Sequence, residues 1–136
     1  MNNEIILKEG EELSEEFEVK EEHAARVVGS GNVDVLSTPS MISFMENVCW
    51  KLAQRKLPEG KTTVGTRVDV YHLKPVPIGE KIRVCAKLLK IEGRKLVFSV
   101  EAYLNNVLVG KGTHERFLID ERKFLDTVRK MRTKSS

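Results

Sequence analysis

Residues 37–56 read STPSMISFMENVCWKLAQRK and carry the strongest local structural signal in the chain. Ser37 and Thr38 offer hydroxyl groups that can cap a first helical turn, and Pro39 has a fixed backbone angle that suits the first helical position. At about 100° per residue, one continuous arc of this helix is apolar and contains Met41, Ile42, Phe44, Met45, Val48, Cys49, Leu52 and Ala53. The segment therefore predicts a helix that packs against a core and ends before the Pro-Glu-Gly sequence at 58–60.

After this helix the hydrophobic pattern changes to a period of two, which is typical of β-strands. Alternating segments occupy residues 62–72, 82–88, 96–104 and 107–119, and a shorter one occupies residues 14–20. Asn105 and Asn106 separate the last two segments, as in a tight hairpin turn. No strand-helix-strand crossover is apparent. The sequence therefore predicts an α+β fold in which one long central helix packs on an antiparallel meander of about four long strands.

The size of the chain limits its organisation. With 136 residues and 15.5 kDa, it is long enough for one hydrophobic core and too short for two comfortable domains. We expect a single domain over residues 1–136, with about residues 1–12 and 130–136 peripheral. No stretch approaches the ~20 apolar residues of a membrane span, and the acidic N-terminal end lacks the order of a signal peptide. A cytoplasmic protein with no membrane partner is expected.

Cysteine, histidine and aromatic contents argue against metal, redox and nucleic-acid functions. Cys49 and Cys85 are far apart in sequence and lie within apolar patterns, so both are expected to be reduced core residues. The three histidines, at positions 23, 72 and 114, are scattered and form no zinc motif. Aromatic residues make up only 6% of the chain, which leaves no stacking platform for nucleic acid despite a net charge of +3. We therefore expect neither a metal nor a nucleic-acid partner.

Glu46 is the first candidate for chemistry. It lies at the margin of the apolar arc of the helix, where a partly desolvated carboxylate can act as a base or a nucleophile. On the helix pattern alone, an edge glutamate whose head reaches water is the simpler interpretation. Thr38 lies two turns earlier, about 12 Å along the axis, and plain N-capping already explains its hydroxyl.

His72 is the second candidate. Alternation places its ring on the same face of the strand as Val68 and Val70, where it is either a core histidine or a proton carrier. If that face packs on the helix, Glu46 and His72 can meet at the edge of the core. Gly65, seven residues earlier, falls on the opposite face by the same alternation. Its N–H can serve a developing oxyanion, or the glycine can simply mark a bulge.

The third cluster is Gly-Thr-His-Glu-Arg at residues 112–116. Arg116 is a candidate to bind an anionic group or to position Glu46. Alternation puts His114 on the same side as Arg116 and Glu115 on the other side. For His114 and Glu115, cross-strand charge pairing on a solvated face is the favoured interpretation.

Taken together, these residues resemble the hot-dog-fold thioesterases, and most closely the fluoroacetyl-CoA thioesterase group. The resemblance runs from about residue 16 to residue 129, and its motifs occur at matching spacing. These motifs are Thr-Pro-Ser-Met-Ile-Ser-Phe-Met-Glu-Asn-Val-Cys at 38–49, Val-Gly-Thr at 64–66 leading to His72, Pro-Ile-Gly at 77–79 and Gly-Thr-His-Glu-Arg at 112–116. The resemblance implies a long helix wrapped by an antiparallel sheet, and a homodimer whose active sites form at the subunit interface.

The resemblance also implies a set of site residues. The catalytic threonine, glutamate and histidine of the family fall on Thr38, Glu46 and His72, and its substrate-contacting glycine and arginine fall on Gly65 and Arg116. By analogy, Glu46 attacks the thioester carbonyl or activates water, Thr38 orients the carboxylate, His72 moves the proton and the Gly65 amide polarises the carbonyl. No cofactor or metal is implied, since CoA is part of the acyl-CoA substrate.

One departure from the family bears on the substrate. The segment before the helix carries phenylalanines in the fluoroacetyl-specific enzymes, but residues 27–37 contain no aromatic residue here. We therefore expect a general short-chain acyl-CoA thioesterase, or a housekeeping relative, whose acyl group the sequence does not identify. Two alternatives remain: a non-catalytic acyl-CoA-binding module, and an acyl-thioester hydratase or dehydratase. The second ranks lower because residues 39–56 lack the aspartate and histidine that such enzymes usually carry on the helix.

Overall fold

The computed structural model describes residues 6–132 and contains a five-stranded antiparallel sheet with a long helix packed on it. In chain order the elements are β1 (Glu12–Glu18), a 3-10 turn (Glu21–His23), α1 (Ala25–Val28), α2 (Thr38–Gln54), β2 (Lys61–His72), β3 (Lys81–Glu92), β4 (Lys95–Leu104), β5 (Val107–Asp120) and α3 (Glu121–Lys130). The predicted α+β fold is confirmed. Over the described range, no helix combines the length and apolar composition needed to cross a membrane.

The long helix α2 begins where its sequence predicts. Ser37 is the N-cap residue, and its Oγ accepts a hydrogen bond from the Ser40 N–H at 3.1 Å, with Pro39 following in the first turn. The buried face contains Ser40, Met41, Phe44, Met45, Val48, Cys49, Leu52 and Ala53. Ile42, which the apolar arc included, is only half-buried. The arc thus packs on the sheet and contributes most of the helix's stability, because burial of apolar side chains outweighs intrinsic helix propensity.

The strand order corrects the predicted four-strand meander. Strands β3, β4 and β5 are consecutive neighbours, but β2 pairs with β5 and β1 pairs with β3, which gives the order β1-β3-β4-β5-β2. Period-two patterning identifies a strand and its faces but not its neighbours, so the sequence left this pairing open. Strand β2 is consequently an edge strand. The hairpin between β4 and β5 was predicted correctly, since Asn105 and Asn106 both have positive φ, at 49° and 70°.

A bulge in β2 determines which of its side chains face α2. The pairing register with β5 shifts between Gly65 and Arg67, so Thr66 is an extra residue on this strand. Strict alternation placed Gly65 and His72 on opposite faces, and this prediction is wrong because the extra residue reverses the parity. Gly65 faces Glu46 of α2, and His72 contacts the first residue of α2. Both therefore lie on the side of the sheet that the helix covers.

The terminal segments, about residues 1–12 and 130–136, were predicted to be peripheral. The structure differs from this prediction in part. Residues 1–5 and 133–136 lie outside the described residues. Leu7 is only 6% exposed and belongs to the hydrophobic core, so the N-terminal segment is held more firmly than predicted. Helix α3 was not predicted, although Asp120 caps it by accepting a hydrogen bond from the Lys123 N–H at 3.0 Å.

The two cysteines are both free but lie in different environments. Cys49 is fully buried in the core, as predicted. Cys85 is half-buried, so its assignment to the core is wrong. It alternates with the buried residues of β3 and therefore points to the other face of the sheet, where Ser14 Oγ and Arg83 Nη1 lie 3.0 and 2.9 Å from its sulfur.

The cap of α2 gives a test of this fold. We expect Ser37→Ala to lower the free energy of unfolding by about 1 kcal/mol, because the Ser40 N–H then loses its acceptor in a buried position. Ser43→Ala is the matched control, since Ser43 lies on the exposed face of the same helix and should change stability little. Urea unfolding measures both. Equal effects of the two substitutions would contradict the assignment of Ser37 as the cap.

Candidate active site

The first polar cluster joins the start of α2 to the end of β2. The Thr38 Oγ1 lies 2.8 Å from the His72 Nδ1, which is a hydrogen-bond distance. Sequence pattern favoured Thr38 as the helix cap, but Ser37 fills that role and leaves the Thr38 hydroxyl available. Because β2 ends where α2 begins, two residues 34 positions apart in sequence form one pair.

The environment of His72 favours the neutral imidazole. Burial lowers its pKa from the ordinary histidine value, and the nearby Lys74 backbone only partly offsets this effect. The Nε2 atom is buried and has no hydrogen-bond partner among the described residues. A neutral imidazole with one engaged and one unengaged nitrogen can accept a proton near neutral pH and then, as the imidazolium, pass it on.

A pocket of about 290 Å³ opens beside this pair. Its wall is small or aliphatic for the most part and contains Ala25, Ser30, Val35, Leu36, Ser37, Leu73, Lys74 and Pro75 together with Thr38 and His72. Much of the wall comes from the segment that precedes α2. No aromatic ring lines the pocket apart from the His72 imidazole, in agreement with the lack of aromatic residues at 27–37.

The second cluster surrounds Glu46, farther along α2. Its Oε2 lies 3.8 Å from His114 Nε2 and 3.9 Å from Arg116 Nη1, and its side chain is 41% exposed. A Cβ on Gly65 would lie only 2.7 Å from the same oxygen. Because glycine has no Cβ, the Glu46 carboxylate can occupy this space beside β2.

Arg116 is held as a buried cation. Its side chain is 9% exposed, its Nε donates to Thr63 Oγ1 at 2.8 Å, and its Nη2 donates to the Thr63 carbonyl oxygen at 3.0 Å. Burial lowers the Arg116 pKa, while the negative charge of Glu46 opposes that effect. A guanidinium remains charged at neutral pH even so, since its ordinary pKa is far higher. The cluster thus presents a fixed positive charge to Glu46.

Cys49 lies near this cluster but is not equipped as a nucleophile. Burial raises the pKa of its thiol to about 12, although the charge of Arg116 acts in the opposite direction. The thiolate is the reactive form of cysteine, so a thiol with this pKa is inert near neutral pH. The carboxylate of Glu46 is therefore the nucleophile or base that this cluster can supply.

His114 was missed as a site residue by sequence reasoning. It was assigned to a solvated face, but it is 1% exposed and lies between β2 and α2, so that interpretation is wrong. Alternation did place it correctly beside Arg116, whose Nη1 is 3.0 Å from its Nε2. Glu115 fits the predicted charge pairing, since it lies 3.7 Å from Arg67 and 4.0 Å from Lys95.

Within the chain the two clusters remain separate. Thr38 pairs with His72, whereas Glu46 gathers with Gly65 and Arg116, two helical turns or about 12 Å farther along α2. Among the described residues, no hydrogen bond or ion pair joins Glu46 to His72. All five predicted site residues lie on the same side of the sheet, but the chain by itself does not bring Glu46 and His72 to one point.

Comparison with known proteins identifies close relatives of the chain. The profile of one family, described as Fluoroacetyl-CoA-specific thioesterase, matches residues 19–122. The Fluoroacetyl-CoA thioesterase of Streptantibioticus cattleyicolor is 35% identical over 96 residues, which make up 71% of this chain and 69% of that protein.

Solved structures agree with the sequence comparison. The fluoroacetyl-CoA thioesterase FlK superposes with a TM-score of 0.86 at 29% identity, over 93% of this chain and 98% of that one. A thioesterase superfamily member from Thermus thermophilus gives a TM-score of 0.84 at 31% identity, over 91% and 92% of the two chains. A hot-dog-like protein from Thermanaerovibrio acidaminovorans shares the fold, with a TM-score of 0.85 at 21% identity over 93% of each chain. The predicted hot-dog fold is thereby confirmed.

The space at Gly65 can be tested directly. In Gly65→Ala the new methyl group meets Glu46 Oε2 at 2.7 Å and His114 Cε1 at 3.1 Å. We expect the flexible carboxylate to move aside at little cost, and the free energy of unfolding to fall by about 1 kcal/mol because the buried His114 ring must also shift. Gly31→Ala is the control, because its Cβ would meet only Ala25 at an ordinary 3.5 Å. Urea unfolding and a crystal structure of the variant provide the measurements. An unmoved Glu46 carboxylate would contradict the assigned packing.

Proposed function

Since the chain belongs to the fluoroacetyl-CoA-specific thioesterase family, it is a thioester hydrolase, and we propose that it cleaves short-chain acyl-CoA at a site that two subunits complete. The observation that carries the proposal is the split of the polar residues into a Thr38–His72 pair and a Glu46–Arg116 cluster on one side of the sheet. Each half holds part of the chemistry of hydrolysis: a proton carrier in one, and a carboxylate facing a cation in the other.

The edge strand β2 supports the two-subunit arrangement. Its residues from Gly65 to Asp69 are exposed, and Val68, Tyr71 and the adjoining Leu73 are 38%, 64% and 46% exposed. Exposed edges carrying apolar side chains are normally covered, and twofold dimers cover them with the same surface of a second copy. We therefore propose a homodimer formed through β2.

Antiparallel pairing of two β2 strands about a twofold axis has a geometric consequence. If the axis passes between Gly65 and His72, the Gly65 end of one strand lies beside the His72 end of the other. Glu46 of one subunit then approaches Thr38 and His72 of its partner. The separation of about 12 Å along one helix no longer keeps these groups apart.

The proposed reaction adds water across the thioester. The C–S bond breaks, the acyl carbon gains a hydroxyl group, and the CoA sulfur leaves and takes up a proton. Glu46 either accepts a proton from the attacking water, or it attacks the carbonyl carbon to form an anhydride that water then hydrolyses to free the carboxylate. Both routes need the ionised carboxylate that Arg116 faces. Neutral His72, held by Thr38, first accepts the proton that the attacking water loses, directly or by way of Glu46, and as the imidazolium it then delivers that proton to the leaving sulfur. The Gly65 N–H polarises the carbonyl oxygen.

The pocket beside Thr38 and His72 supports the assignment of the acyl group. Its volume of about 290 Å³ and its apolar residues Val35, Leu36 and Leu73 suit a short acyl chain. A variant of the relative FlK has been solved in complex with fluoroacetate and CoA; for this chain, acyl-CoA is the proposed substrate and no cofactor is needed beyond it. A cytoplasmic location, where both cysteines stay reduced, is part of the proposal.

A panel of acyl-CoA substrates tests the function. We expect release of free CoA thiol from short-chain members, and we expect Glu46→Gln to lower kcat/KM at least about 100-fold, because the variant has no carboxylate to attack or to accept a proton. Glu59→Gln is the control, since Glu59 is exposed beyond the end of α2 and should keep full activity. Binding of acyl-CoA without turnover would instead identify a non-catalytic binding module, and hydration of an enoyl-CoA would identify a hydratase.

Mixed dimers test the shared site. Glu46→Gln and His72→Asn homodimers should both be nearly inactive, but a dimer of one subunit of each kind keeps one intact Glu46–His72 combination across the interface. We therefore expect about half of the wild-type kcat in purified, doubly tagged mixed dimers, as twofold symmetry requires. Mixed dimers as inactive as their parents would place the site within one subunit. A monomer in light scattering at micromolar concentration would also contradict the shared site.

A further inference from the structure

We propose that His114 is a positioning residue that fixes Arg116 against Glu46 through one neutral tautomer, an inference that rests on the proposed function for its kinetic consequence. The imidazole is 1% exposed, and its Nδ1 lies 2.8 Å from the backbone carbonyl oxygen of Arg67. Because a carbonyl oxygen only accepts hydrogen bonds, Nδ1 carries the proton in this contact.

The other ring nitrogen fixes the charge state. Arg116 Nη1 lies 3.0 Å from His114 Nε2, and a guanidinium group only donates hydrogen bonds. Nε2 must therefore present a lone pair. The two contacts together define a neutral histidine protonated at Nδ1, and neither the charged ring nor the opposite tautomer satisfies both of them.

His114 completes the set of acceptors around Arg116. Thr63 accepts from Nε and Nη2, and His114 accepts from Nη1, the nitrogen that also lies 3.9 Å from Glu46 Oε2. Thr63 alone holds one edge of the planar group. His114 holds the end that faces the carboxylate, so the direction of the positive charge toward Glu46 depends on it.

The same ring also supports the β2 bulge. Arg67 follows the register shift directly, so the hydrogen bond from Nδ1 to its carbonyl oxygen pins the chain just beyond Gly65. His114 Cε1 would lie 3.1 Å from a Cβ on Gly65, and Phe98 stacks against the ring with centroids 6.4 Å apart. One side chain therefore sets the positions of both Gly65 and Arg116 relative to Glu46.

Two substitutions separate these two contacts. In His114→Asn the amide nitrogen can replace Nδ1 and keep the Arg67 contact, but nothing reaches Arg116. In His114→Gln the amide oxygen can replace Nε2 and accept from Arg116. We expect kcat for the best acyl-CoA substrate to fall roughly 10- to 100-fold in His114→Asn with KM changed less than about threefold, since small misplacements of catalytic groups cost rate. His114→Gln should recover most of that loss.

Controls separate positioning from folding. Glu115→Gln, on the opposite side of β5, should keep wild-type kcat, and thermal unfolding of every variant reports its stability. Equal kcat losses in the Asn and Gln variants that follow their stability losses would overturn the proposal and leave His114 with a structural role only. Wild-type kcat in His114→Asn would overturn it as well.

A measurement that needs no activity keeps this inference distinct from the proposed function. Nitrogen-15 NMR of the wild-type protein at pH 7 should show His114 as the neutral ring protonated at Nδ1, and the Arg116 Nη protons should exchange faster in His114→Asn. A charged or Nε2-protonated His114 would overturn the proposal even if the enzyme hydrolyses acyl-CoA. If no acyl-CoA is hydrolysed, the proposed function fails, while the spectra still decide whether His114 holds Arg116.

Discussion

One extra residue in β2 is the constraint on which the whole site depends. Side chains alternate along a strand, so two positions an odd number of residues apart face opposite sides. Gly65 and His72 are seven apart, and only the bulge at Thr66 turns both toward α2. Without the bulge, either the glycine that makes room for Glu46 or the histidine that meets Thr38 would face away from the helix. The pairing of β2 with β5 therefore sets the chemistry of the site as well as the shape of the sheet.

A buried positive charge is the second organising element, and its hydrogen bonds are unusual. Arg116 is 7% exposed, yet its close partners, Thr63 and His114, are neutral, and Glu46 lies at 3.9 Å. Hydrogen bonds to neutral acceptors meet the geometric needs of the guanidinium but do not cancel its charge. The field of the cation is left to act on the nearby Glu46 carboxylate. The free-energy cost of burying this cation is therefore met beside Glu46, the carboxylate that the proposed reaction uses.

Much of the fold and part of the site could be predicted from the sequence. The hydroxyl groups of Ser37 and Thr38 before Pro39, together with the apolar arc, indicated α2, because helix starts and amphipathic faces leave local signatures. A bulge at Gly65 was one of two interpretations that the sequence left open, but the sequence could not show that Thr66 is the extra residue or that it reverses the parity of the strand. Alternation paired His114 with Arg116 but could not say which face of β5 is buried, because both faces carry polar side chains there. The position of β2 beside β5 depends on long-range pairing, which no local pattern encodes.

The pocket beside Thr38 and His72 is lined largely by residues that do not belong to the long helix or to the sheet. Much of its wall belongs to the segment before α2, whereas the groups proposed to react, Glu46 and His72, stand on α2 and β2. Loop positions accept substitution more readily than packed strands do, because fewer buried contacts depend on them. If this pocket holds the acyl chain, as proposed, related proteins can change the preferred acyl group by altering a few side chains there. Glu46 and His72 stay unchanged, so proteins that descend from one ancestor can differ in the acyl group that they prefer.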